Sequence, residues 1–157
     1  MRTFPALVIL AALTLAPVHA QSTGMPMDLS TEKYGYKEDV AVGGAGADEL
    51  RKGALAWFAA AYPAGPKVDK SAAGRLVLQS SITVPYVRVA EVDVKHTVTI
   101  ALREGGYSFT ITDFVVDFGT ASKPFEMQFS DRKGIMRHAH KRMTSMIEDF
   151  KQRMAGG

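Results

Sequence analysis

The sequence predicts an α+β domain with two layers, in which two helices cover one face of an antiparallel sheet. Residues 75–84 and 91–102 alternate apolar and polar side chains, so each predicted strand has one apolar face that needs a cover. Residues 47–62 and 131–154 carry apolar side chains at helical spacing, so each predicted helix has one apolar stripe. The resulting order is strand, helix, four strands, helix, which favours packing of both helices on an antiparallel sheet.

The first predicted strand, residues 34–42, ends at a glycine-rich turn that leads into the first helix. Asp48 and Glu49 fall in the first turn of that helix, where carboxylates complement the positive end of the helix dipole. The same two acids make the turn a poor phosphate cradle, because they place negative charge where a phosphate would bind. Pro63 predicts the end of the helix, and a short strand is expected near Val68.

Two further strands are predicted to fold back on each other at Gly105-Gly106. In the second of them the apolar side chains change phase, and a continuous strand would direct the two sets to opposite faces. The first set is Tyr107, Phe109 and Ile111, and the second set is Phe114, Val116 and Phe118. We therefore predict a β-bulge or a bend near Thr112 and Asp113, because one extra residue restores the phase.

The amino terminus has the layout of a secretory signal peptide. Arg2 is followed by the apolar run Leu7–Leu15 and by small residues that end at Ala20. The predicted organisation is a signal peptide over residues 1–20, a flexible leader over residues 21–33 and a single domain over residues 34–157. We expect the protein to be exported, to the periplasm or the medium, and not to span the membrane, since the apolar run is too short.

The composition limits the classes of site that the chain can hold. Its 157 residues include no cysteine, which excludes disulfides and thiolate zinc sites. The formal net charge is only +3, so the overall charge does not indicate a partner. The distribution of charge along the chain is more informative.

The last helix, expected over residues 131–154 with Ser130 as its N-cap, begins with the basic run RKGIMRHAHKR. Positive charge there opposes the helix dipole, so helix stability does not explain the run. The predicted patch for an anionic partner, either an envelope protein or an anionic surface, consists of Arg132, Lys133, Arg137, Lys141 and Arg142. A solvated face without a partner is the alternative. No nucleic acid is expected, since no aromatic side chains interleave the cations.

His96 lies among apolar side chains on its predicted strand and is the main candidate for a reactive group. No other His or Cys on these strands could complete a metal site, and the chain lacks a serine-nucleophile motif. Ser80 could approach His96 across the sheet, whereas a buried core histidine with a hydrogen-bond partner is the alternative. We predict no catalytic, metal-binding or cofactor-binding residues. A ligand pocket between helices and sheet would be lined by Trp57, His96 and Phe109.

Three segments, DELRKGALAWFAAAY, AAGRLVLQSS and GGYSFTITDF, carry a resemblance to a known family. The positions that match are Trp57, Gly106, Tyr107, Thr112 and Asp113, whereas Ser108 stands where the family pattern has arginine. The chain resembles, from about Val40 to Phe118 and in its closing helix, a bacterial exported family of unknown function with a TATA-binding-protein-like (TBP-like) fold. The resemblance implies that fold and no catalytic residues, and a fold does not determine function.

Three functional classes follow from these observations. We favour a non-catalytic envelope module, which would bind a partner through an exposed sheet or a basic helix. The reason is that the sequence shows no constellation of reactive groups. The alternative is a carrier of a small apolar or lipid ligand, with the methionine-rich face of the last helix lining the pocket. An enzyme would need His96 in a cleft beside Ser80 or an acid. An apolar cavity would favour the carrier, and a polar cavity around His96 would favour the enzyme.

Overall fold

A computed structural model of the protein describes residues 24–63, 65, 67–70, 72, 74–87 and 90–156. The predicted signal peptide, residues 1–20, lies outside the described residues. In this part of the chain the elements are, in order, β1 (Met27–Asp28), β2 (Lys33–Tyr34), β3 (Tyr36–Ala41), α1 (Ala47–Ala61), β4 (Lys67–Asp69), β5 (Arg75–Tyr86), β6 (Ala90–Arg103), β7 (Gly106–Asp117), β8 (Ser122–Pro124) and α2 (Arg132–Ala155).

The main sheet is antiparallel and has the strand order β3-β7-β6-β5-β4, with β8 also beside β7. β5 pairs with β6 along its whole length, from Arg75 opposite Ala101 to Tyr86 opposite Ala90. β3 and β8 pair with different parts of β7 on the side away from β6. The predicted α+β architecture of two helices and an antiparallel sheet is therefore confirmed.

β7 contains the bulge that the change of phase predicted. The register between β6 and β7 shifts between Lys95 and Thr97. Two residues of β7, Asp113 and Phe114, oppose His96 at this point, so β7 has one extra residue. Asp113 adopts the left-handed backbone region with a φ of +57°, and Phe114 after it is fully buried. The extra residue thus returns the second apolar set of β7 to the core.

The two helices cover one face of the sheet, and the other face is exposed along β5 and β6. Trp57 of α1 packs against Phe150 of α2, with ring centroids 4.8 Å apart. Phe150 also contacts Tyr107 and Phe109 of β7, so one aromatic cluster ties both helices to the sheet. The residues that α2 contributes to the core are Ile135, Met136, Ala139, Met143, Met146, Ile147, Phe150 and Met154.

Residues 24–33 differ from the flexible leader that the sequence suggested. β1 and β2 pair with each other, and Met25 is fully buried in the core. Lys33 forms an ion pair of 2.9 Å with Asp113 at the bulge. This segment packs on the domain through one buried methionine and a few polar contacts. Its sequence therefore has no apolar periodicity from which the packing could be predicted. The folded domain therefore extends upstream of residue 34.

The start of α2 also differs from the prediction, since Asp131 and not Ser130 occupies the N-cap position. Asp131 has a φ of +57° and makes no side-chain hydrogen bond to the helix. Arg132 instead fixes the start of the helix, because its guanidinium donates to the carbonyl oxygen of Phe125 and to the hydroxyl of Tyr34. The three-residue strand β8 was not predicted either, because it is too short to show an alternating pattern.

Candidate functional site

His96 is buried below the end of α1, and both of its ring nitrogens have a hydrogen-bond partner. Nε2 lies 2.9 Å from the hydroxyl of Tyr62, and Nδ1 lies 3.2 Å from the carbonyl oxygen of Val94. A carbonyl oxygen can only accept, so Nδ1 carries the proton and donates to Val94, while the hydroxyl of Tyr62 donates to Nε2. Only 3% of the His96 surface is exposed.

Burial lowers the pKa of His96 to about 4, from 6.5 for a free imidazole. The ring stacks on Phe114 of the bulge, with centroids 5.8 Å apart. Ser80 is the direct cross-strand neighbour of His96, but the ring nitrogens are engaged by Tyr62 and Val94. At neutral pH the group is therefore an uncharged core residue, as the alternative interpretation of the sequence expected.

The structure does not bring Trp57, His96 and Phe109 together around one cavity. Trp57 lines a groove of about 450 Å³ between the helices, and Phe109 lines one of about 260 Å³ between β3 and α2. His96 lines a third depression, of about 400 Å³, at the bulge. The indole of Trp57 donates to Asp149 of α2 at 2.8 Å, so this residue links the two helices. All three side chains are buried and contribute to packing.

The predicted basic patch divides into one anchored arginine and four exposed cations. Arg132 is half-buried, and its Nε donates to the carbonyl oxygen of Phe125 at 2.6 Å. Its Nη2 donates to the hydroxyl of Tyr34 at 2.8 Å, and the guanidinium lies over the Tyr34 ring. Arg132 is thus held by its own domain. The other four residues form what we call the basic face of α2: Lys133, Arg137, Lys141 and Arg142.

The basic face lies on the solvent side of the first half of α2. Three of its members are spaced four residues apart and point the same way, and all four are exposed. In the part of the chain that the structure describes, none of the four forms an ion pair. In the second half of the same helix, by contrast, Lys151 pairs with Glu38 and Arg153 pairs with Asp149. Unpaired positive charge is thus concentrated in one half of α2.

The first turns of the two helices carry side chains of opposite charge. α1 has Asp48 and Glu49 in its first turn, and the carboxylate of Glu104 accepts a hydrogen bond of 3.1 Å from the backbone N–H of Ala47. α2 has no acid in its first turn and no side-chain cap, and Lys133 lies there. Cations in this position destabilise a helix, and like charges four residues apart repel each other. Folding alone therefore does not account for the basic face.

A groove that the sequence did not predict lies beside the basic face. It has a volume of about 360 Å³ and is bounded by the end of α1, by Arg142 and by residues 80–83 of β5. Tyr62 and Pro63 form its wall on the side of α1. The sequence offered no signal for this groove, because it forms where α1, α2 and β5 meet, and these segments are distant in the chain.

The described residues contain neither a membrane-crossing helix nor a cluster of metal ligands. Neither α1 nor α2 combines the length and the apolar character that a membrane-crossing helix needs. Within the described residues, no three His, Asp or Glu side chains lie close enough together to bind a metal ion.

Two of the solved structures that resemble this chain in fold illustrate the likeness. The crystal structure of a TBP-like protein from Parabacteroides distasonis superposes with a TM-score of 0.71, at 13% sequence identity over 85% of this chain and 99% of that chain. A DUF4468 family protein from Bacteroides ovatus superposes with a TM-score of 0.64, at 11% identity over 85% of this chain and 92% of that chain. No protein-family model matches the chain, and no curated protein matches it.

These two structures confirm the resemblance to bacterial proteins with a TBP-like fold. The likeness extends over nearly the whole length of both neighbours, so the α+β domain as a whole has this fold. At such low identity it establishes the fold alone. Neither neighbour carries an enzymatic name, and neither name states a ligand or a partner.

Proposed function

We propose that this chain is an exported, non-catalytic interaction module that binds an anionic partner through the basic face of α2. The observation that carries the proposal is a set of four exposed cations without ion pairs among the described residues, one of which, Lys133, lies in the first turn of α2, where positive charge disfavours the helix. His96 supports a non-catalytic role, because it is uncharged and both of its nitrogens are engaged in the core. Export rests on the predicted signal peptide, and an intact mass that begins at Gln21 would test it.

Electrostatics sets the expected strength of this binding. Each Lys or Arg beside an anionic surface contributes about 1 kcal/mol, so the four cations together contribute roughly 4 kcal/mol. That free energy corresponds to a dissociation constant of about 1 mM. The apolar stripe of α2 is buried in the core and cannot add hydrophobic contact. Binding through the basic face alone is therefore weak, reversible and sensitive to salt.

The proposal is tested with two double variants that change the net charge equally. Lys141→Glu with Arg142→Glu reverses two charges of the basic face, whereas Lys37→Glu with Lys52→Glu reverses two exposed cations elsewhere. We expect the first variant to bind vesicles that contain anionic phosphatidylglycerol, or a heparin column, about 30-fold more weakly. The second variant should bind within about threefold of the unmodified protein. Equal losses in both variants would show that only net charge matters and would refute the proposed site.

The carrier alternative requires an apolar cavity between the helices and the sheet. The residues that would line it are packed against one another instead, as the contact between Trp57 and Phe150 illustrates. Met143 of α2 is also fully buried in this core. A lipid that remains bound to the exported protein in native mass spectrometry would support the carrier in place of the proposed function.

A further inference from the structure

We propose that the face of the sheet that points away from the helices, which we call the open face, packs against the open face of a second copy of the chain. This inference goes beyond the proposed function and does not depend on it, because α2 lies on the other side of the sheet. Two features carry it. The centre of the open face holds no charge, and one row of side chains across it ends in opposite charges.

The centre of the open face consists of small, uncharged side chains on β6 and β7. Three pairs of these side chains lie directly opposite each other: Thr97 with Thr112, Thr99 with Thr110, and Ala101 with Ser108. None of the six is charged or larger than threonine, although charged residues make up 22% of the chain. Interfaces between proteins are depleted of charge at their centre, because a covered ion loses its hydration. The centre of the open face can therefore be covered without burying an ion.

One row of side chains crosses the open face from one edge strand to the other. In the order β3, β7, β6, β5 and β4, the row consists of Lys37, Thr110, Thr99, Val77 and Asp69. It has a positive charge at one end, a negative charge at the other and no charge between them. A twofold axis that runs along β6 through Thr99 reverses the row, so Lys37 of each copy lies over Asp69 of the other. The row is therefore complementary in charge to the same row of a second copy.

Two further cations on the open face are neutralised within their own chain. Lys95 and Arg103 lie on β6, so the twofold axis brings each of them toward its own counterpart in the second copy. Lys95 forms an ion pair with Asp117, and Arg103 forms one with Asp39, which reduces the repulsion. Lys37, by contrast, forms no ion pair among the described residues. The contact with a second copy gives this lysine an acidic partner.

The size of the open face predicts a weak dimer. The five strands from β3 to β4 lie about 4.8 Å apart, so the face is roughly 24 Å wide. The three rows between Lys95 and Arg103 are about 7 Å apart and make it roughly 20 Å long. Each copy thus covers roughly 500 Å², or about 1,000 Å² in total, which is at the lower limit for a specific interface. We therefore expect the dimer to form only at high protein concentration.

Sedimentation equilibrium at protein concentrations up to about 500 µM tests the dimer through a charge exchange. Lys37→Glu and Asp69→Lys each place like charges opposite each other twice in the dimer, so each should weaken dimerisation by about tenfold. The double variant exchanges the two charges and should restore the dimer to within about threefold. Lys52→Glu, which reverses an exposed cation on α1, should leave it unchanged. A protein that stays monomeric at the highest concentration, or a double variant no better than the single ones, would overturn the inference.

Because the chain has no cysteine, single thiols can locate the interface. Thr99→Cys puts one thiol of each copy beside the twofold axis, whereas Ala60→Cys puts it on the exposed side of α1. We expect a short bis-maleimide to link the first variant into dimers and to leave the second monomeric. Equal linking of both variants, or linking of neither, would contradict packing through the open face. Lys141→Glu with Arg142→Glu should lower heparin binding without changing the dimer, so this inference and the proposed function can fail separately.

Discussion

The hydroxyl of Tyr62 lies 2.9 Å from Nε2 of His96 and joins the end of α1 to the middle of β6. Together with the carbonyl oxygen of Val94, it satisfies both nitrogens of a histidine that lies among apolar side chains. A buried polar group with its hydrogen bonds formed costs little, whereas the same group without partners would destabilise the core. The contact therefore explains why His96 is compatible with a buried position.

Acid should destabilise the domain through His96. Its pKa is about 4 in the folded protein and 6.5 in the unfolded chain, so the unfolded chain binds more protons between these values. The contribution of His96 to the free energy of unfolding should therefore fall as the pH drops from 6.5 to 4, by on the order of 3 kcal/mol, and should change no further below pH 4. Urea denaturation at pH 7 and pH 4 measures this difference.

The controls for the pH dependence are two histidine variants. His96→Gln should remove most of the loss of stability at pH 4, because the glutamine side chain does not titrate. His138→Gln changes an exposed histidine and should leave the loss unchanged. The same pH dependence in both variants would show that His96 is not the group responsible.

Removing the hydroxyl group should lower the free energy of unfolding at Tyr62 but not at Tyr107. Tyr62→Phe leaves Nε2 of His96 without its donor, so we expect a loss of about 1–3 kcal/mol in the free energy of unfolding. The hydroxyl of Tyr107 is buried and has no hydrogen-bond partner in the described part of the chain. Tyr107→Phe should therefore be neutral or stabilising. Urea denaturation of both variants measures the difference, and equal destabilisation would contradict the contact between Tyr62 and His96.

The bulge of β7 should prefer glycine to alanine at position 113. Asp113→Gly and Asp113→Ala both remove the ion pair with Lys33, so their difference reports on the backbone alone. Asp113 has a φ of +57°, which disfavours a residue with a Cβ atom. We expect the alanine variant to be less stable than the glycine variant by about 1 kcal/mol in chemical denaturation. An alanine variant of equal or greater stability would mean that the bulge lies elsewhere.

Reversing the charge at position 133 should raise stability and lower binding together. Lys133→Glu puts an acid in the first turn of α2, which should increase the free energy of unfolding by about 0.3–1 kcal/mol. The same change removes one cation from the basic face, so retention on heparin should decrease. Lys141→Glu lies beyond the first turn, and we expect it to lower retention without raising stability. If Lys133→Glu lowers stability, the argument that α2 has an unfavourable charge distribution is wrong.

The regular part of the fold followed from side-chain periodicity. The alternation of residues 75–84 predicted the position of β5 and which of its side chains point to the core, because only one face of that strand can be buried. The change of phase in β7 predicted a bulge or a bend near Thr112 and Asp113, since a continuous strand with a period of two cannot bury both apolar sets on one face. The position of the basic face on the solvent side of α2 followed in the same way from the buried stripe that includes Met143.

Features that depend on contacts distant in sequence could not be predicted. Met25 enters the core from a segment with no periodic pattern, so residues 24–33 resembled a leader. Tyr62 meets His96 only because α1 docks in a particular orientation on the sheet. Arg132 was grouped with the basic face, but Tyr34 and Phe125, which hold it, are brought to α2 by the fold.

An NMR titration of the isotope-labelled protein with a short heparin oligosaccharide tests the central claim most directly. We expect the backbone amide signals that shift to cluster in the first half of α2, around Lys133, Arg137, Lys141 and Arg142. The dissociation constant should be near 1 mM and should rise with salt. Shifts centred instead on the exposed face of the sheet around Lys95, or spread over all cations alike, would contradict the claim that α2 carries the binding site.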